Sequence, residues 1–200
     1  MKGVVLLLGL GLGSGLVTGC GSQGALSQEV VDRARASGAA PDLIYAVELD
    51  GYRLLEQSAG GIGEEGYGAY YGADGGSGEP VQLRIDRGGF SDTLCATTPM
   101  ASGPGGTGAQ GGQVRCERDG EGWYRTDGAR QDYTVVRGDH YIRLTGPVGQ
   151  VGREALRKAV TGARPAVGDG TPAPPPTAVP RGDLPTAGDG APDNHVGPGG

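Results

Sequence analysis

The sequence predicts an α+β domain: an antiparallel β-meander sheet with a closing C-terminal helix, Gly-rich loops and a disordered Pro/Gly tail. Three observations predict it. Turn pairs (Asp119-Gly120, Asp127-Gly128, Gly138-Asp139) recur at about ten-residue spacing between short runs rich in Val, Tyr and Ile, the pattern of hairpin-connected strands. Residues 151–164 then set Val151, Ala155, Leu156, Ala159 and Val160 on one helical face, enough to cover one side of such a sheet. Finally, 21 of the 37 Leu, Val, Ile and Phe residues, all 8 Tyr and the single Trp fall within 40–164, so one modest core belongs there and nowhere else.

The elements follow in order. Leu26, Val30, Val31 and Ala34 give residues 26–37 an amphipathic helix with Ser27 as cap, Gly38 as stop and Pro41 reinforcing it. Asp50-Gly51 separates two apolar runs, 43–48 and 52–57, and predicts a hairpin between them. Residues 60–78 and 102–112 are Gly-rich and read as long surface loops. Tyr67, Tyr70 and Tyr71 interrupt the first of these, and their strand propensity favours a short strand over an exposed aromatic patch. Val81, Leu83 and Ile85 alternate with Gln82, Arg84 and Asp86 as a half-buried strand, and residues 91–95 read as another. The tail, 165–200, holds 9 of the 14 Pro, 8 Gly and only 4 large aliphatics. It cannot bury enough surface to offset its chain entropy, and 172–180 leans to polyproline II.

The N-terminus carries an address. Lys2 precedes an apolar stretch over 4–16 that is thinned by glycine and then followed by small residues, the layout of a secretory signal peptide. The stretch is short of the about 20 residues of a membrane span. It ends in Val17-Thr18-Gly19-Cys20, which resembles the lipobox of bacterial lipoproteins, with Val17 where Leu is commoner. The resemblance implies a signal peptide over 1–19 and a diacylglyceryl group on Cys20, so that the chain sits on the outer face of the cell membrane by its lipid anchor. Residues 20–40 then form the linker with its short helix, 41–164 the β-rich domain, and 165–200 the tail. With Cys20 lipidated, Cys95 and Cys116 remain as an even pair in an exported domain, which predicts a disulfide. Their spacing is not that of a Cys-X-X-Cys redox motif, and two Cys with one distant His make a poor zinc site.

The search for chemistry finds little. No Gly-X-Ser-X-Gly elbow, His-Glu-X-X-His helix, phosphate loop or dinucleotide fingerprint occurs. His140 lies beside a predicted turn and is expected in solvent, while His195 is in the tail. Glu64 and Glu65 are adjacent in a Gly-rich segment and do not make a glycosidase pair. Asp119, Glu121 and Asp127 lack the spacing of a calcium loop, and Arg181-Gly182-Asp183 is explained by composition. The net charge of -6 and pI near 4.9 argue against nucleic acid as a partner. Residues 116–125 (CERDGEGWYR) and the elements after them are similar to actinobacterial lipoproteins without an assigned activity, a resemblance that transfers no function. The expectation is a non-enzymatic binding or interaction module with no cofactor, held at the membrane and meeting an unknown protein or small ligand. The alternative is a carrier of a lipid or other apolar ligand, and a hydrolase ranks third.

Overall fold

The computed structural model describes residues 25–101, 103 and 112–166. Ser27 caps the first helix, α1 (Gln28–Ala36), by accepting from the Val30 amide, and Val30, Val31 and Ala34 form its buried face. Gly38 ends it at φ +100°, a left-handed conformation open to glycine and strained for other residues. A 3₁₀ turn (Pro41–Leu43) leads into β1 (Tyr45–Ala46), followed by β2 (Tyr52–Leu54), β3 (Gly60–Ile62), β4 (Gly66–Ala73) and β5 (Val81–Arg87). Then come α2 (Asp92–Thr97), β6 (Arg115–Asp119), β7 (Gly122–Thr126), β8 (Arg130–Arg137), β9 (His140–Pro147), α3 (Arg153–Thr161) and β10 (Arg164–Pro165). Strands β2 to β9 make one antiparallel sheet in the order β2-β4-β5-β9-β8-β7-β6, with β3 also on β4, while β1 and β10 pair apart from it.

The meander from β6 to β9 and the closing helix stand where the sequence places them. One face of the sheet carries Tyr67, Ala69, Tyr71, Val81, Leu83, Ile85, Tyr133, Val135, Ile142 and Leu144, and these pack with α1, the 43–49 segment and the Leu156, Ala159 and Val160 face of α3 as the main core. Helices α1 and α3 thus cover one and the same face, the one that alternation along the strands makes apolar.

Three expectations are corrected. The runs 43–48 and 52–57 do not form a hairpin: Asp50-Gly51 does turn the chain, but β1 pairs with β10 and β2 with β4. Val47 and Leu49 are drawn into the main core instead, and core burial outweighs the local turn preference. Residues 60–78 are not one long loop: the short strand favoured at Tyr67, Tyr70 and Tyr71 is there, but as the eight-residue β4, an inner strand of the sheet, with β3 before it. Glycine is what lets them be there. A Cβ on Gly61 would sit 2.3 Å from the Ser37 carbonyl oxygen, so the end of α1 closes directly onto β3, with the Gly61 amide donating to Ser37 Oγ at 2.7 Å. Residues 91–95 are not a strand, since Ser91 caps α2 by accepting from the Leu94 amide. The cap and the buried Cys95 decide the local structure there.

Burial of Tyr67 and Tyr71 gives a prediction. Desolvation raises both phenol pKa values, that of Tyr71 to about 12, with a small opposing pull from the Val47 backbone, and that of Tyr67 further, helped by Tyr71. The folded chain therefore holds these protons when the unfolded chain releases them above pH 10. Their stabilising contribution is full below pH 10 and is lost as pH rises through the folded values, by up to about 1.4 kcal/mol per pH unit per tyrosine. Urea midpoints measured from pH 9 to pH 12 should fall accordingly, and Tyr71→Phe should flatten the fall.

Candidate functional site

The other face of the sheet is built from the alternate residues of the same strands. Register sets them in rows. Gln82 lies opposite Thr145, Thr145 opposite Asp132, Asp132 opposite Arg125, and Arg125 opposite Cys116. The next row runs Arg84, Arg143, Thr134, Trp123, Arg118. Two helices and the main core lie on the far side, whereas here α2 covers only the β6 and β7 end. Tyr70, Gln82, Arg84, Asp86 and Tyr141 remain half-exposed on β4, β5 and β9.

At the covered end, Phe90, Cys95 and Trp123 make a small second core with Cys116, Val136 and Tyr141 against it. Phe90 meets Trp123 edge-on with ring centroids 5.2 Å apart, and the Trp123 indole donates to Asp92 Oδ1 at 2.7 Å. Cys95 and Cys116 are joined by a disulfide with their Cα atoms 5.8 Å apart. The sequence predicts the bond, but its expected place, a strand-to-strand fastening, is corrected: it ties α2 to edge strand β6. Beneath it lies a buried ion pair that sequence reasoning missed. Arg125 and Asp132 are both fully buried, and Arg125 Nε donates to Asp132 Oδ1 at 2.9 Å while Nη1 donates to the Thr98 carbonyl at 2.8 Å. Arginine also stacks on the rings of this face: Arg118 lies 4.2 Å from the centroid of Trp123, and Arg143 lies 5.1 and 5.2 Å from those of Phe90 and Tyr141. Planar guanidinium groups favour such contacts.

His140 is not an exposed turn residue. It is 8% exposed, because β9 begins at it, opposite Arg87 and Arg137, and Tyr45 folds over the sheet end to meet it. Its Nδ1 is 3.2 Å from Asp139 Oδ1 and its Nε2 2.9 Å from the Tyr45 hydroxyl. The contact with His140 is the leading cause that holds the Asp139 carboxyl below its ordinary pKa, with Arg87 adding to it. The order carboxylate, imidazole, hydroxyl is that of a nucleophile relay, but Tyr45 is itself only 6% exposed. Arg87 bridges Asp42, Glu65 and Asp139 from three segments around it. This cluster fastens the chain crossing the end of the sheet.

A groove of about 500 Å³ lies between the residues before α1 and the 46–56 segment, where Leu26, Val47, Leu49, Leu54 and Tyr71 line it together with Glu48, Asp50, Glu56 and Asp74. Among the described residues no helix is long and apolar enough to cross a membrane, and no group of three or more His, Cys, Asp or Glu side chains is placed to hold a metal ion. Cys20, the second Gly-rich segment apart from 103 and 112, and the tail beyond 166 lie outside the described residues. Comparison of the chain with known protein families, curated proteins and solved structures finds no match.

Proposed function

We propose that this chain is a lipid-anchored protein of the outer face of the cell membrane, a non-enzymatic interaction module that meets a protein or small ligand through the polar face of its sheet. One observation carries the reading: the part of this face that no helix covers presents Tyr70, Arg84 and Tyr141, with Arg143 beside them, residue types enriched at the centre of interfaces. The same face contains the disulfide and the buried ion pair, which hold its side chains in fixed positions. Anchoring rests on the lipobox at Cys20, five residues before the first described residue.

Cys20→Ser is expected to move the protein from the membrane fraction to the medium, or to leave it unprocessed, because the thiol receives the lipid. Processing and membrane retention like those of the parent would defeat the anchor. For the interaction, co-purification from crosslinked cells should recover a partner with the parent and lose it with Arg84→Glu and Tyr70→Ala together.

The groove beside α1 favours a second reading, a carrier of a lipid or other apolar ligand, since its size suits a small ligand. Four carboxylates in its lining make it a poor acyl site. Organic extraction of the purified protein followed by mass spectrometry decides: a stoichiometric lipid supports the carrier, and a clean extract counts against it.

A further inference from the structure

The polar face holds more guanidinium groups than carboxylates to meet them. Asp86 is taken by Arg84, whose Nε and Nη2 donate to it at 2.6 and 2.9 Å. Asp132 is taken by Arg125 through two hydrogen bonds, and Glu79 by Arg130 Nη1 at 2.7 Å. Arg143 has only a share of Asp132. Its Nε donates to Thr134 Oγ1 at 3.2 Å, and Asp132 Oδ2, already engaged by Arg125, is 3.9 Å from that nitrogen. Its terminal nitrogens make no hydrogen bond among the described residues, although the side chain is only 7% exposed.

Such an arrangement is costly. A buried charge needs a partner, and cross-strand register sets Arg84 directly opposite Arg143, where like charges repel. Burial, and then the Arg125 charge, lower the Arg143 pKa against the pull of Asp132. Residues 102–112 (SGPGGTGAQGG) contain no charged side chain, so that segment cannot neutralise it. Phe90 and Tyr141 beside the guanidinium fix its plane.

We propose that Arg143, with Arg84 beside it, forms an oxyanion site on the polar face that takes the phosphate or carboxylate group of a ligand. The inference rests on reading this face as the interaction surface and names the chemistry that the face recognises. Two donors on the edge of one guanidinium match the two oxygens of either group.

The test uses the purified protein with its tail, observed through the arginine side-chain ¹⁵N signals during titration with inorganic phosphate, glycerol phosphate, acetate and glucuronate at constant ionic strength. A saturable shift of the Arg143 signal is expected, with affinity falling about tenfold or more in Arg143→Gln and less in Arg84→Gln. Arg53→Gln, remote on β2, should change nothing. Preference for the phosphates or for the carboxylates names the source of the oxyanion, and either preference supports the site. Should Arg143→Gln fail to fold, the Arg84→Gln titration and the parent's Arg143 shift still decide. No saturable shift, or equal binding by parent and both variants, overturns the proposal. A saturable shift without any partner lost from Arg84→Glu, Tyr70→Ala cells would leave the site standing and remove the interaction reading instead.

Discussion

Asp132→Ala is expected to destabilise the domain by about 3–5 kcal/mol, the usual cost of breaking a buried ion pair from one side. The carboxylate is fully buried, receives two hydrogen bonds from Arg125, and is also the charge nearest Arg143 Nε. Removing it leaves two buried guanidinium groups facing each other. The Thr98 and Cys95 carbonyls still accept from Arg125, but they carry no formal charge and cannot replace it. Arg125→Met combined with Asp132→Leu should recover a large part of the loss, because an apolar pair of similar volume leaves no bare charge. Urea unfolding of the three proteins gives the comparison. A cost below about 1 kcal/mol for Asp132→Ala would mean that water reaches the pair, in the manner of a surface ion pair.

The disulfide carries the second large effect. Reducing it, or changing both Cys95 and Cys116 to Ser, should lower stability by about 2–4 kcal/mol, the range for a bond that closes a loop of this length. The bond spans 21 positions and ties α2, only six residues long, to an edge strand. A helix this short does not persist in isolation. Among the described residues its other attachments are the Trp123 bond to Asp92, the Arg125 bonds to the Cys95 and Thr98 carbonyls and the packing of Cys95 in the cluster with Phe90. The near-ultraviolet circular dichroism of the single Trp should therefore weaken on reduction even where the main core stays folded. Removing residues 168–200 should change stability by less than about 0.5 kcal/mol. The cut must fall beyond 166, since β10 pairs with β1 and the Ala166 amide donates to the Ile44 carbonyl. Two free thiols in the native protein, or a larger loss from tail removal than from bond loss, would contradict this account.

What the sequence discloses follows the range of the interactions. Strands β6 to β9 were legible because each is joined to the next by a turn of two or three residues and its strand pattern is local. Strand β4 was legible only in part: the strand propensity of Tyr67, Tyr70 and Tyr71 favoured a short strand, but GYGAYYGA has the composition of a loop and becomes an inner strand only through β5 on one side and β2 and β3 on the other. Helix α2 had a readable signal in Ser91, whose capping bond is strictly local, but the apolar Leu94 and Cys95 beside it were read as strand. The Arg125 and Asp132 pair lies seven residues apart across the β7–β8 turn, and only the register shows that the two face each other. His140 was misplaced for the same reason, since Tyr45 that covers it comes from 95 residues earlier. Of the candidate face, the sequence offered the alternating Gln82, Arg84 and Asp86, but not that the helices would leave them open.

The central claim, that this face meets the partner, is tested most directly by site-specific photo-crosslinking in intact cells. A photoreactive phenylalanine analogue placed at Tyr70, on the open face, should give a defined adduct, whereas the same analogue at Arg157, on the outer side of α3, should give none. An adduct from position 157 with none from position 70 would contradict the account.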